Sequence, residues 1–564
     1  MPLRWHVAAV GAVAGGQTDC TAPFQRALDE AGRARGGVVE APAGRYRLDG
    51  NLRVPAHVTL QGVFRSAPRP ERSGSPDVTG TVLLAYAGRG SADGPAFIQL
   101  AGHNAGVAGL IVDYPEWNRA DVPPVPYPPC VASQDTENVM VQDCCFLNAY
   151  EAIRLVRAAR HLVRNVTGYP IWRGLFVDEC YDIGRIENVH FWPFGIAYHQ
   201  EDPYCKWINT QGVAFEFART DWHYVANTFC FGYGVGYRFS ASQKGSANGN
   251  FVGLGADSCE RAVVVEQAQA PGLLITNGEF VGRWGSTEAV CLEIAPQAEG
   301  KVSLVNCSFW GPIDRCVWMR SPAGQFTASA CNFVHWDNRG VGSAAIQLDA
   351  GRAIVQGCTF AQDGVAVAVG HEVTSAILVG NQAMGGFRVE NGAGARAQIA
   401  LNEPDPISWT PESLGHYRVT VGASGDGRYL HGFHGAENAG GRPCRWTAGS
   451  ARLLLPVLPG RPVTVTLEVS MPEHALSDDA GLYLDGQRLA AFSAANEVSA
   501  ALPAATADRV RLELRVRGWV PQQVVPGSAD ARTLGLRLFS ITVRSEGAGA
   551  AVFDANTGRP PRKD

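Results

Sequence analysis

The sequence predicts an all-β protein in two parts, a β-solenoid followed by an antiparallel β-sandwich. Short apolar strands recur between residues 152 and 369, at intervals of 19 to 29 residues, and predict ten or more coils. Three consecutive predicted strands are "GLFVD" from residue 174, "GIAYH" from 195 and "AFEF" from 214. The motif Cys-x-Phe recurs in register with them. A repeat of this length, with one inward-facing strand per unit, is typical of a solenoid. The 65 Gly, 34 Pro and only 5 Met among 564 residues predict many turns and few long helices.

The N-terminal segment predicts a cap on the solenoid: a loop, a helix over about residues 21–34, then strands. It contains Gly11-Ala12, Asp19, Thr21, Gln25, Ala27-Leu28, Gly36-Gly37, Pro42-Ala43-Gly44, Tyr46, Leu60 and Gly62. With these residues it resembles the opening of right-handed parallel β-helix proteins of the pectate-lyase-like superfamily, which includes polygalacturonase-like hydrolases. Gly15-Gly16-Gln17 departs from the pattern, which commonly has Asp-Gly there. The resemblance implies a right-handed, single-stranded parallel β-helix and a carbohydrate ligand.

The cysteines predict an internal column. Cys307, Cys331 and Cys358 occupy the same place in successive Cys-x-Phe motifs, so they should stack on one another inside the solenoid. Free cysteine packs as a small hydrophobe, and the chain has no Cys-x-x-Cys. We therefore expect buried, reduced thiols rather than disulfides or a metal cluster. Thiols in this number favour a cytoplasmic location; the alternative is secretion after removal of a signal peptide.

The pattern changes after about residue 402. Alternating strands such as "RPVTVTLEV" and "RVRLELRV" predict an antiparallel sandwich. The predicted divisions are a β-helix catalytic domain with its cap at 1–402, a linker at 403–415, the sandwich at 416–550 and a tail at 551–564.

Strand alternation sorts the solenoid residues into inward and outward sets. Three outward carboxylates, Asp178, Glu216 and Glu266, lie on nearby coils, with Asp178 and Glu266 each placed two rungs from Glu216. Glycosidic hydrolysis needs a proton donor and a second carboxylate that activates water or attacks. These three residues are the predicted catalytic groups.

Polar and aromatic residues concentrate near the same coils. Flat rings beside carboxylates suit the faces of sugars. The predicted substrate-binding residues are Arg238, His199, Asp202, Trp207, Arg219, Asp221, Trp222 and His223.

The first functional hypothesis is therefore a glycoside hydrolase that needs no cofactor. A polysaccharide lyase is the second, in which Asp178, Glu179, Asp182 and Asp202 would hold Ca²⁺ and Arg238 or Arg219 would be the base. An intramolecular fructosyl or glycosyl transferase uses the same carboxylate pair. A non-catalytic, tailspike-like glycan-binding protein is the alternative from another class.

The bulk properties exclude other classes of partner. The formal charge of −5 and a pI near 6.2 argue against a nucleic-acid binder. No apolar stretch reaches the roughly 18 residues of a membrane span. The expected partners are a carbohydrate substrate and further copies of the chain, with a trimer as the favoured assembly.

Overall fold

The protein is described by a computed structural model, which covers residues 3–63, 80–284, 286, 288–403, 407, 409–494 and 496–558. Its strands form two sheets. The first is a 34-stranded parallel sheet that ends with Ala397–Ala400, and the second is an 11-stranded, mainly antiparallel sheet that starts with His416–Thr420. The fold is a right-handed parallel β-helix followed by a β-sandwich, as the sequence predicts.

The parallel sheet wraps into three faces, because each strand pairs with the equivalent strand of the next coil. Face A is the outer surface of one such ladder. It comprises Leu52–Val54, Ile98–Leu100, Val131–Glu137, Glu151–Ala159, Arg173–Asp178, Val213–Phe217, Val235–Phe239, Arg261–Val265, Val290–Ile294, Arg315–Met319, the first part of Ile346–Gln356, the first part of Val367–Val379, and Val389–Asn391. These thirteen strands, counted over the described residues, confirm the prediction of ten or more coils.

Faces B and C complete each coil, and several strands bend from B into C. Face B comprises Arg4–His6, Gly37–Glu40, Val58–Gln61, Gly106–Ala108, Ala268–Thr276, Lys301–Val305, Gln325–Ser329, Ala397–Ala400 and the second parts of Ile346–Gln356 and Val367–Val379. Face C comprises Gly44–Leu48, Thr81–Ala85, Leu110–Asp113, Glu279–Gly282, Ser308–Trp310, Asn332–Phe333, Thr359–Phe360 and Gln382–Ala383. The bent strands are Met140–Leu147, Leu162–Gly168, Arg185–Phe191, Thr220–Phe231 and Ala247–Cys259.

The corner between faces B and C is built the same way in successive coils. Each coil places one residue there with positive φ, for example Asn165, Asn188, Asn277 and Asn306. Asn and Gly reach this left-handed region at low cost, which explains their recurrence at the corner. The asparagines also bond across coils, with Asn188 Nδ2 2.9 Å from Asn165 Oδ1 and Asn306 Nδ2 2.9 Å from Asn277 Oδ1. The corner thus fixes the register of one coil on the next.

The interior is a set of stacked columns. On face C the phenylalanines of the Cys-x-Phe motifs stack, with ring centroids 5.0 Å apart for Phe309 and Phe333 and 4.7 Å for Phe333 and Phe360. The side chains of Cys307, Cys331 and Cys358 follow the same path, are buried, and contact one another in sequence. The predicted thiol column is confirmed.

We expect thiol labelling to reflect this burial. All 14 cysteines are buried and free, and burial raises the pKa of the Cys144 thiol to about 12. The native protein should therefore react slowly with a thiol reagent at neutral pH. After denaturation without reductant, labelling followed by mass spectrometry should count 14 thiols. A lower count in the denatured, non-reduced protein would mean that disulfides replace the column.

The described residues include four α-helices besides the strands: Thr21–Arg33, Pro203–Gln211, Pro411–Gly415 and Pro521–Val524. The first buries Phe24 and Leu28 against the first coils, as expected of the predicted cap. The second was not predicted. It lies in the connection from face C to face A, where the sequence had indicated a strand over residues 195–199. No described helix is both long enough and apolar enough to cross a membrane.

The second sheet comprises His416–Thr420, Leu430–Phe433, Glu437–Ala439, Arg442–Pro456, Val463–Ser470, Gly481–Leu484, Gln487–Ala491, Glu497–Leu502, Arg509–Arg515, Arg537–Ser545 and Phe553–Asp554. The last strand pairs with His416–Thr420, so part of the segment predicted to be a tail belongs to the sheet. Residues 559–564 of that predicted tail lie outside the described residues.

Candidate functional site

One outward column runs along the middle of face A. Strand register aligns one residue from each coil, in the order Arg53, Gln99, Ala132, Arg154, Phe176, Glu216, Arg238, Val264, Glu293, Trp318, Gln347, Ala368 and Glu390. We call this series the central column. Strand alternation correctly predicts the outward members of the central column from Arg154 to Gln347, except that it adds a strand at residues 195–199 that the structure does not contain. In the central column, Glu216 and Arg238 lie on adjacent rungs.

Glu216 is held at the centre of a charge network. Its Oε2 accepts a hydrogen bond from Arg173 Nη1 at 3.1 Å, and its Oε1 accepts one from Ser240 Oγ at 3.0 Å. The residue is 9% exposed. Arg173 also donates to Glu151 at 2.9 Å, and Arg154 bonds Glu151 from the other side. The guanidinium and the hydroxyl donor thus fix the position of the Glu216 carboxylate.

Aromatic rings flank this network. The Arg173 guanidinium lies 4.5 Å from the ring centroid of Trp172 and 4.1 Å from that of Phe176. Trp172 in turn stacks on Tyr150, with centroids 5.4 Å apart and an angle of 21° between the rings. We call Tyr150, Trp172, Arg173 and Phe176 the aromatic platform. It offers flat apolar surface directly beside the Glu216 carboxylate.

Asp178 lies closer to Glu216 than the sequence analysis placed it. The strand Arg173–Asp178 pairs directly with Val213–Phe217, so Asp178 is one rung from Glu216, not two. Residues 195–199 form a loop instead of the intervening strand. Asp178 Oδ1 accepts backbone N–H groups from Glu179 at 2.8 Å and Arg219 at 3.0 Å.

Glu266 is two rungs beyond Glu216, as expected from the sequence, because it directly follows the strand Arg261–Val265. Arg238 binds its Oε1 through Nε at 2.8 Å. Farther along the face, Glu293 is bound by Arg261 and Arg320, at 2.6 and 3.0 Å. Arginine–carboxylate pairing thus extends over much of face A.

Trp207 and Trp222 lie at the two opposite edges of face A. Trp207 belongs to the helix Pro203–Gln211, which ends just before the strand Val213–Phe217, and it packs partly against the core. Trp222 follows that strand at the corner with face B and is 63% exposed. Asp202 caps the helix and is bound by Arg119 at 3.0 Å. His199 is exposed in the loop before it.

The remaining predicted residues lie at the corner between faces A and B. Arg219 binds Asp221 through both terminal nitrogens, and Asp221 also accepts from Asn248 at 3.2 Å and Gln269 at 3.0 Å. A pocket of about 550 Å³ at this corner is lined by Tyr181, Asp221, Trp222, Asn248, Gln269 and other neighbours. This corner pocket is separate from the central column.

The assignment of His223 to substrate binding is wrong. His223 is 0% exposed and packs inside the coil against Phe217 and His161, with ring centroids 5.3 and 5.1 Å apart. The ladder is irregular between Thr220 and His223, and Trp222 has positive φ. This irregularity turns Trp222 outward and His223 inward. No saccharide on the outer surface can reach the ring.

The four acidic residues considered for Ca²⁺ do not gather. Glu179 pairs with Arg157 at 3.0 Å, Asp182 pairs with Arg160, and Asp202 caps a helix. Over the described residues, no group of three or more His, Cys, Asp or Glu side chains could hold a metal ion. These four carboxylates are therefore engaged with separate partners in the structure.

Comparison with known proteins adds little beyond the fold. No protein-family model matches the sequence. Mannuronan C5-epimerase AlgE2 of Azotobacter vinelandii is 30% identical over 118 residues, which cover 19% of this chain and 12% of that relative.

Two solved structures have similar architecture. The tailspike protein of E. coli bacteriophage HK620, solved with a pentasaccharide, is 11% identical with a TM-score of 0.46, covering 91% of this chain and 93% of its own. The A-module of mannuronan C-5 epimerase AlgE4 from Azotobacter vinelandii is 14% identical with a TM-score of 0.32, covering 70% of this chain and all of its own.

The predicted site residues do not include four residues of this site: Tyr150, Glu151, Trp172 and Arg173. The signal for them lies one or two residues before the predicted strands that start at residues 152 and 174. There "YEAIRLV" (150–156) lies opposite "WRGLFVD" (172–178), which pairs an aromatic with an aromatic and Glu151 with Arg173. Opposite charges at equivalent positions of consecutive coils predict an ion pair across the rungs.

Proposed function

We propose that the protein binds a polysaccharide along face A and hydrolyses its glycosidic bonds, with Glu216 as the base and Asp178 as the acid. The observation that carries this proposal is the placement of the two carboxylates on adjacent rungs of one outer face, beside the aromatic platform. The similarity to mannuronan C5-epimerase, whose name gives a polysaccharide as what it acts on, also supports a carbohydrate ligand.

Hydrogen bonds hold the two carboxyl groups differently. Both Glu216 oxygens accept bonds, from Arg173 and Ser240, which fix the orientation of the carboxylate that we assign as the base. Asp178 accepts both of its hydrogen bonds from described donors at Oδ1. Its Oδ2 is therefore the oxygen that can carry a proton to the leaving group. Base and acid differ in environment, as this reaction requires.

The backbone spacing fits an inverting reaction. One rung is about 4.8 Å, and two residues along a strand add about 6.6 Å, so the two backbone positions lie about 8 Å apart. Inverting glycosidases separate their carboxyl groups by roughly 6.5–9.5 Å to admit a water. On this basis the product should have the opposite anomeric configuration to the substrate.

Digestion of a glycan library tests the proposal. We expect the summed mass of the products to exceed that of the substrate by one water per bond cleaved, as measured by mass spectrometry. The new reducing ends should have inverted anomeric configuration by NMR. An unsaturated product would identify a lyase, and transfer without water a transferase; either would refute the hydrolase.

A non-catalytic glycan-binding protein is the second candidate. It is favoured by the arginine pairing of the outward glutamates Glu216, Glu266 and Glu293, which uses the carboxylates as structure. In that case the library should yield bound glycans and no products.

A further inference from the structure

A cleft of about 870 Å³ lies where the β-helix meets the sandwich. One wall is the end of the central column, with Gln347, Ala368 and Glu390. The opposite wall comes from two sandwich strands, which contribute Arg452, Arg509 and Arg511. The cleft is therefore the last section of face A, covered by the second domain.

Direct contacts hold the two walls together. Arg511 Nη2 lies 2.8 Å from Glu390 Oε2, and Arg452 Nη2 donates to the Val341 carbonyl at 2.7 Å. Gly342 sits close against His431 of the sandwich. These contacts position the sandwich so that its arginines face the cleft.

The lining is strongly positive. Four arginines, Arg315, Arg452, Arg509 and Arg511, face two carboxylates, of which Glu390 is already neutralised by Arg511. The Arg509 side chain is exposed and forms no hydrogen bond or ion pair with a described residue. The partly exposed Arg315 likewise forms no hydrogen bond or ion pair with a described residue, and its guanidinium lies 5.1 Å from the centroid of the Trp318 ring. Two guanidinium groups thus retain donors for a ligand.

A neighbouring histidine responds to this positive charge. Burial, together with the positive charges of Arg388, Arg452 and Arg511, lowers the pKa of His431 to about 3. His431 is thus neutral near the cleft, and the arginines supply the positive potential there.

The cleft is aligned with the proposed catalytic residues. Glu216 and Gln347 belong to the same central column and are five rungs apart. At about 4.8 Å per rung, that is about 24 Å. A chain lying along face A from the Glu216 region enters the cleft after passing Glu293 and Trp318.

We propose that this cleft binds the anionic groups of an acidic polysaccharide, with Arg509 and Arg315 as the principal contacts. The direction of the chain rests on the proposed function, since it assumes a saccharide on face A. Guanidinium groups bind carboxylate, sulfate and phosphate oxygens through paired, charge-assisted hydrogen bonds. The cleft would thus select anionic polysaccharides at a position remote from the proposed catalytic pair. Its lining residues come from both domains.

Calorimetric titration at constant ionic strength tests this inference. The probes are polygalacturonate, which carries carboxylates, dextran sulfate, which carries sulfates, and neutral dextran. We expect at least one charged polymer to bind tenfold or more tightly than dextran, and the preferred polymer identifies the anion. Equal binding of all three polymers would overturn the proposal.

Two variants and a matched control locate the binding. Arg509→Gln and Arg315→Gln should each weaken binding of the preferred polymer by roughly tenfold, since each loses a hydrogen bond from a charged donor. Arg461→Gln removes the same charge from an exposed position of the sandwich outside the cleft and should change binding less than twofold. Arg509 is exposed, so its variant should fold normally. Equal effects of Arg509→Gln and Arg461→Gln would refute the cleft as the site.

The outcome is independent of turnover. If the library yields no hydrolysis but Arg509→Gln weakens binding, the proposed function fails and the anionic site remains. If hydrolysis occurs and Arg509→Gln binds like the wild type, the anionic site fails and the hydrolase remains.

Discussion

Replacing Glu216 by Gln is expected to reduce turnover on an identified glycan by on the order of 10²–10⁴, the usual contribution of general acid–base catalysis. The amide keeps the shape of the side chain but cannot take the proton of a water. It also breaks the ion pair with Arg173, so stability should fall by about 1–3 kcal/mol. Arg173 keeps its bond to Glu151, which limits that loss. The measurements are steady-state kinetics and urea denaturation on the same preparation.

Glu293→Gln is the matched control. Glu293 lies in the same central column, is bound by two arginines, and its side chain has nearly the same exposure, 14% against 12% for Glu216. Its replacement should cost similar stability with little loss of turnover. Asp178→Asn should resemble Glu216→Gln if Asp178 is the acid. Wild-type turnover in both Glu216→Gln and Asp178→Asn would eliminate this pair as catalysts.

Acidification from pH 6.5 to pH 4 is expected to destabilise the β-helix through its buried histidines. Burial lowers the pKa of His161 to about 4, and burial together with the charge of His161 lowers that of His223 well below its usual value. Below pH 6.5 the unfolded chain binds protons that the folded chain excludes, so the free energy of unfolding decreases. For His161 alone the loss over this window is about 3 kcal/mol. Above pH 6.5 this contribution is constant.

The surroundings of the His161 and His223 rings explain why both pKa values are lowered. His161 Nδ1 lies 2.7 Å from the Ala158 carbonyl, while His161 Nε2 and both His223 nitrogens lack partners in the described part of the chain. Arg185 adds positive charge near His161, and the Cys180 sulfur lies 4.0 Å from its Nδ1. Among the described residues, no carboxylate forms an ion pair with either ring. A protonated ring would therefore be buried without compensation.

Urea denaturation of His223→Phe at pH 7 and pH 4.5 provides the test. Phenylalanine fits beside Phe217 and removes two unpaired nitrogens from the core, so the variant should lose less stability than the wild type between these pH values. His199→Gln, at an exposed histidine, should retain the wild-type difference. Identical pH dependence of His223→Phe and wild type would show that the buried pair does not set acid stability.

The fold could be predicted because it repeats. Each coil supplies its own evidence, so one error, the strand expected at residues 195–199, left the other coils in register. Small and apolar residues alternate at residues 195–199 as they do in a strand. Whether such a segment pairs with the strands of neighbouring coils depends on residues far away in the sequence. The helix Pro203–Gln211 occupies that connection instead.

The site could be predicted only in part. Alternation correctly placed Glu216, Arg238 and Glu293 outside, because strand geometry decides that. The assignment of His223 rested instead on its place among polar and aromatic neighbours, and it failed because the positive φ of Trp222 turns His223 inward. Ion pairing was also missed, since Arg173 and Glu216 are 43 residues apart and meet only through the register of the coils.

The repeated corner between faces B and C has a consequence for synthesis. Asparagines that bond there are 23 and 29 residues apart, so each coil is stabilised by the coil made just before it. Contacts this local let a β-protein assemble progressively from its N-terminus, each finished coil serving as the template for the next. The arginine cleft cannot form in this way. It needs the strand Arg509–Arg515, more than a hundred residues after the last coil residues that line it, so its completion marks the end of folding.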